Sequence, residues 1–107
     1  MSQVKHVDDQ TFESEVLQSD VPVLVDFYAT WCGPCKSLEP IVKELAADYA
    51  GRAKIVKVDI DKAPGTASSH GIMAVPTLIL FKGGAEAQKM TGFKPKPELE
   101  RALKAVL

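Results

Sequence analysis

The stretch VLVDFYATWCGPCK, Val23 to Lys36, decides how the chain folds. Val23 to Ala29 is apolar almost without interruption, which is how a strand covered on both faces reads; a half-exposed strand would alternate. The stretch then puts the only two cysteines of the chain, Cys32 and Cys35, three positions apart with Gly33 and Pro34 between them. From Pro34 onward Leu38, Ile41, Val42, Leu45 and Tyr49 form the apolar stripe of an amphipathic helix that Gly51 closes. A buried strand therefore runs straight into a cysteine pair at the start of a helix. Pro40 lies inside that helix and is expected to bend it one turn below the cysteines.

On the C-terminal side of this unit, Lys54 to Asp59 reads as a second buried strand. A helical crossover leads to it, so it runs parallel to the first. Asp61 is placed to cap a short helix with Pro64 in its first turn, ending at Gly71. Thr77 to Phe81 and Glu86 to Thr91 read as two strands joined by a tight Gly83-Gly84 hairpin, and Pro97 opens a last helix with Leu99, Ala102, Leu103 and Val106 on its apolar face. On the N-terminal side, Gln3 to Val7 can form a short strand, and Asp8 or Asp9 can cap a helix carrying Phe12 and Val16 on one face. The sum is an α/β fold, a central mixed five-stranded sheet flanked by four helices on both faces. No linker, repeat or low-complexity run interrupts it, so residues 1–107 read as a single domain.

Composition narrows the function classes. The chain is 46% hydrophobic, and 13 basic residues against 14 acidic ones leave a net charge of -1. With no basic block and no acidic tail, nothing calls for nucleic acid or an anionic membrane. No apolar run approaches the roughly 18 residues of a spanning helix, and the first residues do not pattern as a signal peptide, so the expectation is a cytoplasmic protein.

The cysteine pair could be a staple, part of a metal site, or a reagent. A disulfide that closes so short a loop stabilises by about 2 kcal/mol, against about 3 for a fifteen-residue loop. A chain of this size buries enough surface to fold without it. Structural zinc and iron-sulfur sites want four protein ligands, and there is no third cysteine; covalent haem would need His after Cys35, where Lys36 stands. No metal is expected. Thiol-disulfide chemistry remains.

Only a thiolate attacks a disulfide sulfur. Cys32 stands at the helix entrance, where free N–H groups and the helix dipole favour an anion, and Cys35, one turn in, is expected to be more buried and less acidic. The helical spacing brings both sulfurs to one edge, so Cys32 is the candidate nucleophile and Cys35 the candidate resolving thiol. Asp26 is the lone carboxylate of the buried strand, on the same face as Leu24 and Tyr28. Two readings stand side by side: an ion pair with Lys57 on the neighbouring strand, and a proton relay for Cys35, since burial raises a carboxyl pKa.

Over essentially its whole length the chain resembles the bacterial-type thioredoxin family. The resemblance rests on Asp26-Phe-Tyr-Ala, Trp31-Cys-Gly-Pro-Cys-Lys36, Pro40, Asp59-Ile-Asp61, Pro64-Gly-Thr, Val75-Pro-Thr77, Phe81-Lys-Gly and Gly92. It implies the thioredoxin fold and a general protein-disulfide reductant, an oxidoreductase that binds no cofactor and is itself re-reduced by a flavin reductase using NADPH. It further implies a monomer with thioredoxin reductase and disulfide-containing proteins as partners. Carried over by position, Asp26 is the buried acid/base tuned by Lys57, Pro76 is a cis proline facing the disulfide, and Trp31, Gly33, Pro34, Ala74, Val75, Pro76 and Gly92 make the docking surface. Val75 would pair its backbone with an extended substrate segment.

Some positions depart from the common pattern. Tyr28 adds a hydroxyl that needs a partner, Met73-Ala74 makes the rim before Pro76 more apolar, and Pro95-Lys96-Pro97 lacks a hydroxyl cap for the last helix. Glu39 is expected to be a solvated partner of Lys43. Rival readings are a thiol oxidase or disulfide isomerase on the same fold, and a binding subunit with incidental cysteines. Gly33-Pro34 supplies no polar or cationic group to over-stabilise a thiolate, which favours a reductant. His6 and His70 receive no role.

Overall fold

The computed structural model describes residues 4–107. Its five strands are β1 (Lys5–His6), β2 (Val23–Tyr28), β3 (Lys54–Asp59), β4 (Thr77–Lys82) and β5 (Ala85–Thr91). They form one sheet in the order β1-β3-β2-β4-β5. β3 runs parallel to both β1 and β2, while β4 pairs antiparallel with β2 and β5. The sheet is mixed, as expected, and β2 is its central strand. The N-terminal strand is shorter than the sequence suggests, and Gln3 lies outside the described residues.

The near-continuous apolar run of β2 has the predicted cause. Val23, Val25 and Phe27 enter one core with Phe12, Val16, Val56, Val58, Ile79 and Phe81. Leu24 enters the other with Leu38, Val42, Leu45, Leu78, Leu80, Leu99 and Leu103. That second core is covered by α1 (Gly33–Asp48) and α3 (Lys96–Lys104), and the first by the short π-helical segment Glu13–Leu17 and the residues around α2 (Pro64–Ser69). Asp26 shares parity with Leu24, so it lies on the face beneath α1. α1 passes through Pro40 as one helix, ending beside Gly51 at φ +83°. It is tied to α3 by Lys96 Nζ, which reaches Glu44 Oε1 at 3.0 Å and Asp48 Oδ2 at 2.8 Å.

One cap is as expected and one is not. Asp8 Oδ1 accepts from the Gln10 and Thr11 amides at 3.0 Å and so opens the N-terminal helical segment. Its neighbour Asp9 caps α2 across the fold, accepting from Gly65 N at 3.1 Å, Thr66 N at 2.7 Å and Thr66 Oγ1 at 2.6 Å. Asp61 does not cap α2, because Ala63 holds the cap position. Asp61 accepts instead from Trp31 Nε1 at 3.0 Å. The tertiary approach of Asp9 supplies what a local carboxylate would otherwise supply. The last helix has no side-chain cap, as its Pro-Lys-Pro opening predicts.

The hairpin between β4 and β5 turns on Gly83 and Gly84, both at positive φ (60° and 82°), the pairing that lets a two-residue turn follow the twist of the strands. At Gly84 a Cβ would stand 2.8 Å from the Leu17 carbonyl oxygen, whereas Gly83 has open space around it. Gly84→Ala is therefore expected to cost more than about 1 kcal/mol, since left-handed backbone and a backbone clash add, and Gly83→Ala less. Urea unfolding of the two variants beside the wild type measures the difference.

Candidate active site

The chain leaves β2 at Tyr28, crosses Ala29 to Trp31 and enters α1 with Cys32 as its N-cap residue, at φ -95° and ψ 115°. Cys32 and Cys35 form a disulfide with their Cα atoms 5.3 Å apart. The Cys35 amide donates to Cys32 Sγ at 3.1 Å, so the sulfur takes the place that a Ser or Asp oxygen takes at an ordinary helix cap. An acceptor at that position sits against unpaired N–H groups and the positive end of the helix dipole. Exposure does not separate the two cysteines as expected, for Cys32 is 5% and Cys35 3% exposed. What separates them is the amide, which points at one sulfur.

Around the disulfide, Ala29 is buried and Tyr28, Ile60 and Val75 pack against the pair. The Val75–Pro76 bond is cis. The loop before β4 is held from both sides: Thr77 Oγ1 donates to the Ala74 carbonyl at 2.7 Å and the Gly92 amide to the Pro76 carbonyl at 2.8 Å, Gly92 itself lying at φ +91°. The Val75 carbonyl faces Cys32 Sγ at 3.7 Å. Among the described residues, neither the Val75 amide nor its carbonyl has a backbone partner. Trp31, Gly33, Pro34 and Ala74 are exposed, and Trp31 is held by Asp61. Two further apolar side chains stand out in this region, Met73 at 95% exposure and Phe93 at 44%. Phe93 escaped the sequence reading, although an aromatic beside a glycine that must adopt positive φ was a signal.

Asp26 is fully buried, and neither carboxylate oxygen has a hydrogen-bond partner. In register it is flanked by Lys57 on β3 and Leu78 on β4. The ion pair weighed for Asp26 and Lys57 does not form. Lys57 Nζ lies 3.6 Å from Glu39 Oε1 and 4.3 Å from the centre of the Tyr28 ring. Glu39, expected to meet Lys43, thus turns to the sheet, because the helix face it shares with Cys35 leads toward β3 rather than along the surface. Burial pushes the Asp26 carboxyl from 3.8 to about 7, with Lys57 pulling it down and Glu39 pushing it up. Cys35, Lys36, Glu39, Lys57 and Tyr28 line an open cleft, to which Lys57 comes from the strand beside Asp26.

The Tyr28 hydroxyl meets His6 Nδ1 at 3.4 Å, which answers its need for a partner. His70 packs edge-on to Phe81 and meets Glu86 Oε2 at 3.0 Å. Among the described residues no group of three or more His, Cys, Asp or Glu side chains is placed to hold a metal ion, and no helix is long and apolar enough to cross a membrane.

Known proteins bear on this site. The thioredoxin family model matches residues 3–105. Similar relatives include thioredoxin 1 of Nostoc sp., 50% identical over 103 residues and 96% of each chain, and thioredoxin of Synechocystis sp., 45% identical over 107 residues and the whole of both chains. A chloroplastic thioredoxin of Arabidopsis thaliana is 45% identical over 105 residues, covering 98% of this chain and 54% of that protein. With a disulfide between neighbouring turns at the mouth of α1 and these relatives along nearly its whole length, the chain belongs to the thioredoxin family and is a protein-disulfide reductant.

Proposed function

We propose that Cys32 is the attacking thiol and Cys35 the resolving one. In the dithiol form the Cys35 amide stabilises a Cys32 thiolate, and this contact is the single observation that carries the assignment. The Cys32 sulfur attacks one sulfur of a substrate disulfide; that bond breaks, a mixed disulfide forms, and the departing substrate thiolate takes a proton from solvent. Cys35 then gives its proton to the Asp26 carboxylate, and its sulfur attacks Cys32 Sγ. The bond between Cys32 and the substrate breaks, the second substrate thiolate leaves, and the Cys32–Cys35 disulfide is restored. Two electrons have passed to the substrate.

A carboxyl lifted to about 7 is half ionised near neutral pH, so Asp26 can take the Cys35 proton and return it when the disulfide is reduced again. Lys57 tunes that carboxyl. The substrate lies as an extended segment against Val75, whose free amide and carbonyl suit strand addition. Trp31, Gly33, Pro34, Ala74, Pro76 and Gly92 rim the docking surface. Electrons return from a separate flavin reductase that uses NADPH, and the protein works as a cytoplasmic monomer, one domain over residues 1–107.

Reduction of insulin disulfides by catalytic protein, with dithiothreitol or with a reductase and NADPH, tests the activity. No acceleration over dithiothreitol alone would remove it. Cys35→Ser is expected to accumulate mixed disulfides with substrate proteins and Cys32→Ser is not. Trapping in the reverse pattern, read by non-reducing electrophoresis, would exchange the two roles.

Asp26 has a signature in stability. The folded state holds the Asp26 proton more tightly than the unfolded chain does, so ionising it penalises the fold. The penalty is absent below about pH 4, grows as pH rises toward 7 and is complete above that. A rise of this size corresponds to about 4 kcal/mol. Asp26→Ala is therefore expected to be more stable than the wild type at pH 8, by about 2 kcal/mol or more after the cost of a small cavity. The gain shrinks toward pH 4, and resolution of the mixed disulfide slows. Urea unfolding at both pH values with insulin-reduction rates checks this; a destabilised variant with unchanged turnover would rule out the relay.

A further inference from the structure

Glu39 takes no part in the reaction just described, and its position gives it one. It lies on α1 one turn beyond Cys35, at the cleft where Cys35, Lys57 and Tyr28 also meet. The only ammonium in register with Asp26 is that of Lys57. Two contacts hold that ammonium elsewhere: Glu39 Oε1 at 3.6 Å and the face of the Tyr28 ring at 4.3 Å. Both Asp26 oxygens are buried and have no protein donor, although a cation stands on the neighbouring strand. A buried carboxylate beside a free ammonium would close on it, since the pairing offsets part of the desolvation of both.

We propose that Glu39 is a positioning residue for the thiol-disulfide reaction: its carboxylate holds the Lys57 ammonium within the cleft and away from Asp26, so that Asp26 stays unpaired and free to exchange a proton with Cys35. The inference rests on the reading of Asp26 as the relay. The other groups around Asp26 do not supply the same effect. Leu78 faces it from β4 and is apolar. Tyr28, on β2 itself, keeps its proton, because burial and the nearby Asp59, Asp26 and Glu39 carboxylates raise its pKa further. His6 on β1 is beside Lys57 in register and is engaged by the Tyr28 hydroxyl. Lys36 lines the same cleft from α1, but it is exposed and has no partner drawing it inward among the described residues. Without Glu39, the cation nearest Asp26 loses its anchor and the nearest like charge disappears. Both changes ionise Asp26 more readily, in line with the opposed effects of Lys57 and Glu39 on it. A weaker base then faces Cys35.

The Glu39 side chain is 43% exposed, so Glu39→Gln leaves the packing intact. Two measurements read its effect: the pH dependence of the Asp26 carboxyl-carbon NMR shift in the disulfide form, and the pH profile of mixed-disulfide resolution in single turnover. In the wild type both are expected to show a midpoint near pH 7, and the kinetic one is absent in Asp26→Asn. Glu39→Gln moves both midpoints down by several tenths of a pH unit, and Glu39→Asp restores most of the shift. In a Lys57→Met background Glu39→Gln moves them by less, because the residue it positions is gone. A kinetic limb lost in Asp26→Asn but unmoved by Glu39→Gln would overturn the role of Glu39 and leave the relay standing. An equal shift with and without Lys57 would overturn the positioning and reduce Glu39 to a distant charge. A limb that survives Asp26→Asn would remove the relay, and this proposal with it.

Discussion

The burial of β2 between two cores is the constraint on which the site depends. Val23, Val25 and Phe27 are committed to one face and Leu24 to the other, so the strand has no water on either side. A carboxylate at Asp26 then has nowhere to be solvated, and a chain leaving the strand at Tyr28 must turn at once into the helix that covers it. The same packing lifts the Asp26 carboxyl to about 7 and sets a sulfur at the N-cap of α1. Strand burial and redox chemistry are one arrangement.

Charge in this site is managed by separation rather than by pairing. A buried carboxylate paired with a buried ammonium is a poor proton carrier, because each holds the other in its charged form. Here the ammonium of Lys57 lies toward Glu39 and the Tyr28 ring, at the cleft, and the Asp26 carboxyl in register with Lys57 has no donor. Burying a carboxyl without a partner this way costs stability. The bonds from Thr77 to the Ala74 carbonyl and from Gly92 to the Pro76 carbonyl tie the facing loop on either side of Val75, whose backbone is presented unpaired beside the sulfur of Cys32.

Much of this is legible in residues. Continuous apolar sequence from Val23 specifies a central strand because only burial on both faces tolerates it. The spacing of Leu38, Val42 and Leu45 specifies α1, and two cysteines at its entrance with no third ligand leave thiol chemistry. Gly83-Gly84 specifies a hairpin because both positions require positive φ. These are local properties, and the sequence by itself determined them: strand, helix, turn and reaction type.

What only the tertiary structure decided is which charges meet. Asp9 caps a helix more than fifty residues away, Asp61 holds Trp31 rather than α2, and Glu39 turns from Lys43 to Lys57. Each carboxylate had a plausible neighbour in sequence and took one in space instead. A side chain with several rotatable bonds settles where desolvation and geometry are least costly, and that depends on elements brought together from distant parts of the chain. The two cysteines could not be told apart by burial. They are distinguished by one amide in the first turn of α1, a local cap contact that the position of Cys32 at the helix entrance already implies.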